Sequence, residues 1–388
     1  MESNHLISLG LFLFSMFAIS YMLKGLKVPF IVSFMLFGLI GKGFFDRETV
    51  GYFFLFENMA IILLFFFLGL EYSFERLFGM TQVWKPGLVD FLLNFLPFSV
   101  VAYILTRDTI FSVFLSAALY PSSTAIVAKL LVDYRRLINP EADLLLGLLI
   151  FEDLICIILL SALVPVSLGS DLNPLTALIS FLYLVVFFTF FYLFDRYGKL
   201  KVFPVIEILS KETVFIFFIL GVLFLSVGFS KKVGISEVLV AFLLGVLVPE
   251  NTNFYRAIER ELGGLKELSL GIFFFFFTYK TSVEVEVSLL NLVLLFILAF
   301  VLKGLSTFLS GLLYGLSGRV SFRAALSFLS RGEFSLVFAA YYVPVQSYVF
   351  FVVLFTSILG SFSFVLSPWL VQKLFPRRKA SKVPLQAP

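Results

Sequence analysis

The sequence predicts an all-α integral membrane protein of about thirteen transmembrane helices, arranged as two inverted six-helix repeats with one interrupted helix in each. Three observations predict it. First, 60% of the 388 residues are apolar and only 14% are charged, against about 45–50% and about 25% in an average soluble domain. With 54 Phe and a mean hydropathy of +1.05, most side chains must contact lipid or other helices, which excludes a soluble globular domain. Second, apolar stretches of spanning length recur along the whole chain; at roughly 30 residues per span and connection, no room remains for a large soluble domain. Third, the two halves match each other at a near-constant offset.

The apolar stretches fall near 6–23, 28–45, 53–70, 85–105, 110–131 and 143–165 in the first half, and near 174–194 in the middle. In the second half they fall near 213–229, 234–249, 265–279, 287–316, 322–343 and 345–371. The first begins close to Met1 but lacks a basic leading region and a small-residue cleavage site, so it reads as a retained span. Basic residues cluster at Lys24/Lys27, Arg76/Lys85, Arg135/Arg136, Arg196/Lys199/Lys201, Arg256/Arg260/Lys266, Arg319/Arg323 and Arg377/Arg378/Lys379. These clusters occupy every second connection, which the positive-inside rule assigns to the cytoplasm. The N-terminus is then outside and the C-terminus inside. Lys231 and Lys232 break the pattern, whereas Ser167 to Pro174, with no base, supports it.

The repeat rests on three pairs of segments. Phe34 to Gly38 resembles Ala241 to Gly245, at an offset of 207; the Phe run 65–67 with Ser73 and Glu75 matches 274–276 with Ser282 and Glu284, at an offset of 209. Ala117-Ala118-Leu119 pairs with Ala324-Ala325-Leu326, again at 207. The offset corresponds to six spans and a linking one, an odd number, so the halves face opposite ways across the bilayer. The chain then reads as one transporter domain over 1–388: a first repeat at 6–165, a linking helix at 174–194, a second repeat at 213–371 and a basic cytoplasmic tail at 372–388. Inverted repeats supply symmetry-related gates to a midplane site, as alternating access requires.

Charge and composition narrow the chemistry. The net charge of +4, from 29 basic and 25 acidic residues, is too balanced for nucleic acid to be a partner. Cys156 is the only cysteine and His5 the only histidine, so no disulfide, Cys/His metal site or intramembrane histidine base can be built, and no cofactor is expected. Carboxylates, Lys, Arg and hydroxyls must do the work. With one terminal histidine and short loops, a membrane-embedded enzyme is disfavoured.

Glu152-Asp153 is the strongest local signal, bracketed by Leu144 to Phe151 and Leu154 to Leu160. Each charge at the bilayer midplane costs roughly 3 kcal/mol on insertion scales, so two adjacent acids must face a cavity or a partner. A carboxylate half-removed from water exchanges a proton for a metal cation near neutral pH, the simplest physical form of antiport. Lys303 lies deep in the apolar run Val287 to Leu316 and is a partner of opposite sign, unless its stem snorkels to an interface.

Two further segments place breakers and polar groups inside spans at corresponding positions of the repeats: Tyr120-Pro121-Ser122-Ser123-Thr124 and Ser330-Arg331-Gly332-Glu333. Broken helices there would present free carbonyls and amides to an ion. The alternatives are a simple proline kink in the first and a local Arg331–Glu333 ion pair in the second. Asp90 and Asn94 lie on the span that corresponds to that of Lys303 and contact the core, unless Asp90, close to Lys85, is interfacial. Lys280, Glu57 and Glu237 sit near span ends, Lys129 snorkels, and the Phe runs at 65–67 and 273–277 are lipid-facing or packing surface.

In combination, several of these segments resemble the cation:proton antiporter superfamily, in particular the branch of Kef-type potassium efflux proteins and NapA-type sodium/proton antiporters. They are 64–71, 122–131, 147–153, 234–250, the Lys303-Gly304-Leu305 triplet and 329–337. The resemblance covers nearly the whole chain. It implies a core of spans 4–6 and 11–13 moving like an elevator against a dimerisation scaffold of spans 1–3 and 8–10, with spans 5 and 12 crossing. It implies Na+ or K+ and H+ as the transported ions, a homodimer and a bacterial or archaeal plasma membrane. Asp153 matches the family's ion-binding aspartate, with Thr124 and Ser123 beside it. Glu152 occupies the preceding position, where electrogenic members carry Asp and Kef-type members Gln, and Lys303 resembles the lysine that pairs with that acid. The sequence reaches Pro388 without a segment resembling the nucleotide-binding regulatory domain usual in Kef-type proteins, so glutathione or nucleotide gating is not expected. A passive cation channel using the same acids is the rival reading.

Overall fold

A computed structural model describes residues 2–24, 30–44, 54–71, 81–167, 186, 189–198, 205–212, 214–232, 237–249, 252–281 and 288–375. Most of the linking span at 174–194, most of the tail at 372–388, the loop after Ser167, and Ser73, Glu75, Ser282 and Glu284 of the repeat lie outside the described residues. Among the described residues the chain is helical, with one isolated antiparallel bridge between Ser122 and Arg331.

The helices are α1 (Glu2–Lys24), α2 (Phe30–Gly41), α3 (Phe54–Leu70), α4 (Thr81–Thr106), α5 (Thr109–Leu119), α6 (Thr124–Asp133) and α7 (Pro140–Ser167). They continue as α8 (Phe215–Lys232), α9 (Glu237–Val246), α10 (Asn253–Lys280), α11 (Leu289–Leu313), α12 (Gly318–Ser327), α13 (Glu333–Tyr341) and α14 (Gln346–Leu374). Six of them, α4, α7, α8, α10, α11 and α14, are long and apolar enough to cross a bilayer by themselves. α5 with α6, and α12 with α13, are half-length pairs of roughly 15 Å per helix, which puts each break near mid-depth. Their starts are chemically marked: the Asp108 carboxylate accepts the Phe111 N–H at 3.0 Å to open α5, and the Ser123 hydroxyl accepts the Ile126 N–H at 3.2 Å to open α6. Pro86 lies inside α4, and its carbonyl accepts the Ser310 hydroxyl of α11 at 2.7 Å, which ties the two helices together beside the proline.

By their contacts the helices sort into two sets. α1, α2, α3, α8, α9 and α10 pack mainly on one another, and α4 to α7 pack with α11 to α14. Within the first set α9 crosses α3, and α10 crosses α2, at glycines. A Cβ on Gly245 would collide with the Phe66 carbonyl, and one on Gly69 with that of Phe242; a Cβ on Gly38 would lie 2.5 Å from the Phe275 carbonyl oxygen. Helix backbones come this close only over small residues. The Phe runs fill the space beside these crossings and are buried, so they are packing surface and not lipid-facing. Gly245→Leu is therefore expected to cost more than the roughly 1–3 kcal/mol of ordinary overpacking, because backbone cannot swing aside as a side chain can. Thermal unfolding in detergent would show it, with Gly221→Leu as control, since a Cβ there meets nothing within 4 Å.

In the second set one end is fastened by a buried charge cluster that the sequence reading missed. Arg136, grouped above with the solvated loop bases, is buried. It donates at 3.0 Å to Glu141, to the Phe364 carbonyl, and to the Ser327 and Ser367 hydroxyls, with its guanidinium 4.2 Å from the centre of the Phe364 ring. Arg323 reaches the other Glu141 oxygen at 2.5 Å. The cluster ties α7, α12, α14 and the α6–α7 connection together.

Candidate ion-binding site

The two interrupted helices meet at their breaks. Pro121 ends α5 and, lacking an N–H, cannot continue its ladder; Gly332 precedes α13. The extended stretches between them pair, the Ser123 N–H donating to the Ser330 carbonyl at 2.8 Å. Contact is so close that a Cβ on Gly332 would sit within 2.5 Å of the Ser123 Cα. Each break exposes helix ends of known polarity, negative at the C-terminus of α5 and positive at the N-terminus of α6.

Charges are distributed to match. At the end of α5 the Tyr120 carbonyl accepts from Arg331 Nη1 at 2.5 Å and from Lys303 Nζ at 3.3 Å. Beyond it, the Glu152 carboxylate accepts the Ser122 N–H. At the start of α6 the Glu333 carboxylate accepts from the Ser123 hydroxyl at 3.1 Å and the Ala125 N–H at 3.3 Å. Asp153, on α7, accepts the Thr124 hydroxyl at 3.1 Å, and only 1% of the residue is exposed.

Lys303 enters from α11 and is completely buried. Its ammonium lies 2.5 Å from Glu152 Oε1 and 2.9 Å from Asp90 Oδ2, with the Tyr120 and Phe328 rings centred 5.2 and 5.1 Å away. Lys303 does not snorkel, and the bridge to Glu152 forms. Of the two readings of Asp90 the core one holds: although Lys85 is exposed, Asp90 is fully buried, with the Ser306 hydroxyl donating to its other oxygen at 2.6 Å. Asn94, one turn on, donates to Ser306 at 2.9 Å and accepts from Arg331 Nη2 at 3.3 Å. Arg331 also reaches the Ala299 carbonyl at 3.1 Å. The local Arg331–Glu333 pair does not form, because each side chain turns instead to the other broken helix.

Tyr120, Pro121, Ser122, Ser123, Thr124, Glu152, Asp153, Lys303, Ser330, Arg331, Gly332 and Glu333 thus converge on one buried crossing. Asp90, Asn94 and Ser306 complete it. The signal available for them was the correspondence of α4 and α11 between repeats, outweighed by the nearness of Lys85. By contrast Lys280 and Glu57 pair at the surface, 2.5 Å apart, and the half-exposed Glu237 meets Lys231 at 3.2 Å.

A buried meeting of acids and bases at two helix breaks suits a small cation, and the sequence matches accordingly. Residues 11–372 match the family of transmembrane sodium/hydrogen exchangers. The chain belongs to that family. This exchanger is 28% identical over 97% of its length, and 97% of the relative's, to the ammonium/H+ antiporter subunit AmhT of Alkalihalophilus pseudofirmus. It is 31% identical to the K+/H+ antiporter subunit KhtU of Bacillus subtilis over 78% of this chain and 74% of that one. Its fold matches that of the sodium proton antiporter MjNhaP1 from Methanocaldococcus jannaschii, with a TM-score of 0.65 at 18% identity over 96% and 98% of the two chains. The exchanger is accordingly a membrane protein of the cation/proton antiporter class, and its family is one of transporters, not enzymes.

Proposed function

We propose that the exchanger moves one monovalent cation against H+ at a single site centred on Asp153. The observation that carries this reading is the burial of Asp153, with Glu152 beside it, at the junction of two broken helices. Cation and proton compete there for one carboxylate. The Thr124 hydroxyl, Ser123 and freed carbonyls of the break contribute to the oxygen shell of the bound ion, while Lys303 holds Glu152 and Asp90 and Arg331 holds the Tyr120 carbonyl at the end of α5. Only the occupied, charge-compensated site crosses readily, because an empty carboxylate carries its charge through a low-dielectric barrier.

The packing supports an elevator-like step. The set that contains the site, α4 to α7 with α11 to α14, would move as a core against α1 to α3 and α8 to α10, through which two copies would dimerise. The glycine crossings support the inverted repeat. Gly38 on the Phe275–Thr278 stretch mirrors Gly245 on the Phe66–Gly69 stretch, at the offsets of 207 and 209 seen in the sequence. The reading includes an N-terminus outside, a C-terminus in the cytoplasm and a prokaryotic plasma membrane. Sodium, potassium and ammonium are the cargo candidates, the last two because the relatives are named for them; both are named as subunits, which adds a second polypeptide to the proposal.

The test is exchange in proteoliposomes with Na+, K+, Li+ and NH4+ at clamped potential, followed by an internal pH dye. Competition for one carboxylate predicts that the apparent KM for the cation rises as pH falls, by about tenfold per unit where the proton predominates, with Vmax preserved. Cation flux without a linked pH change would identify a passive channel instead.

A further inference from the structure

Lys303 is held by two carboxylates, and the exchange site proposed above uses only one of them. Glu152 is the neighbour of Asp153 along α7. Asp90 reaches the same ammonium from α4, at 2.9 Å. The aspartate is itself fixed: Ser306, one turn beyond Lys303 on α11, donates to its second oxygen at 2.6 Å, and Asn94 Nδ2 bridges to the same hydroxyl at 2.9 Å and to the Asp90 carbonyl at 2.8 Å. Every one of these groups is buried. Keeping a carboxylate there with three polar partners costs desolvation, and helix packing alone does not require it, since an apolar side chain would fill the same space.

We propose that Asp90 is a positioning residue of the exchange site: by sharing Lys303 with Glu152 it draws the ammonium charge away from Asp153, and so sets the affinity for the transported cation. The inference rests on the reading of Asp153 as the ion-binding group. With Asp90 neutral, the whole lysine charge leans on Glu152 and raises the positive potential at the adjoining carboxylate. Unit charges in a low-dielectric interior act over such distances with little screening, because the mobile ions that screen surface pairs are excluded.

The experiment is saturation kinetics of exchange at one fixed pH on the alkaline side, where KM no longer varies with pH. At lower pH the shifted potential weakens proton and cation binding alike, and the two effects cancel under proton competition. Asp90→Asn keeps the side-chain shape, and its KM for the cation is expected to rise roughly tenfold while Vmax stays within about threefold. Asp90→Glu retains the charge, and its KM is expected to stay within about threefold of the wild type, so an Asn variant that fails to fold still leaves a decisive measurement. An unchanged KM in Asp90→Asn, or a tenfold rise in Asp90→Glu, overturns the inference. Asp153→Asn assayed alongside separates the two readings. If that variant is silent while Asp90→Asn keeps the wild-type KM, only the role of Asp90 is lost; if that variant still exchanges, the site itself is misassigned.

Discussion

Replacing Asp153 by Asn is expected to abolish exchange for every monovalent cation while leaving the protein folded. Asn has the size of Asp and keeps an oxygen for the Thr124 hydroxyl, which donates to Asp153 at 3.1 Å, so packing at the crossing is preserved. What it loses is the ability to take either a proton or a metal ion in turn. Flux in proteoliposomes should fall to that of protein-free vesicles, with the unfolding temperature in detergent close to the wild type. Asp153→Glu should recover part of the flux at altered affinity, since the charge survives on a longer stem. Undiminished transport by the Asn variant would remove Asp153 from the mechanism.

Arg331→Met is expected to produce the largest loss of stability in the molecule. The guanidinium is fully buried and joins three elements: the Tyr120 carbonyl that ends α5 at 2.5 Å, the Ala299 carbonyl of α11 at 3.1 Å and Asn94 of α4 at 3.3 Å. Charge-assisted hydrogen bonds of this kind contribute about 1.5–3 kcal/mol each, and removal of a buried cation also leaves nearby acids uncompensated, so a total loss of about 3–5 kcal/mol is expected. Thermal unfolding and the fraction of monodisperse protein in detergent would measure it. Arg331→Lys should recover less than half, because one ammonium cannot reach three acceptors that a planar guanidinium spans. A melting temperature unchanged by Arg331→Met would show that the crossing is held by packing alone.

Legibility differed among the buried charges for a physical reason. Glu152 and Asp153 stand in the middle of a long apolar run, where their cost is visible without knowing any partner. Lys303 was ambiguous only through the possible reach of its stem. Asp90 was hidden by Lys85. α4 begins at Thr81, so Asp90 lies about 14 Å along the helix, but a span read as starting at 85 leaves Asp90 within two turns of its end. Arg136 and Glu141 were hidden similarly, since a base beside a turn resembles any solvated loop. Arg331 and Glu333 were located correctly, yet their nearness in sequence suggested a pairing that geometry replaces with separate partners on the opposite broken helix.

Composition and spacing alone determined that the chain is a helical membrane protein, that short segments of its two halves match at offsets of 207 and 209, and that charge is concentrated where two spans are interrupted. These properties are legible because a bilayer penalises each polar residue individually, so every retained one registers in the sequence. The tertiary structure decided which charges pair. Lys303 meets Glu152 across 151 residues and Asp90 across 213, and the energy of a buried ion depends on angstrom-scale geometry that no run of neighbouring residues encodes.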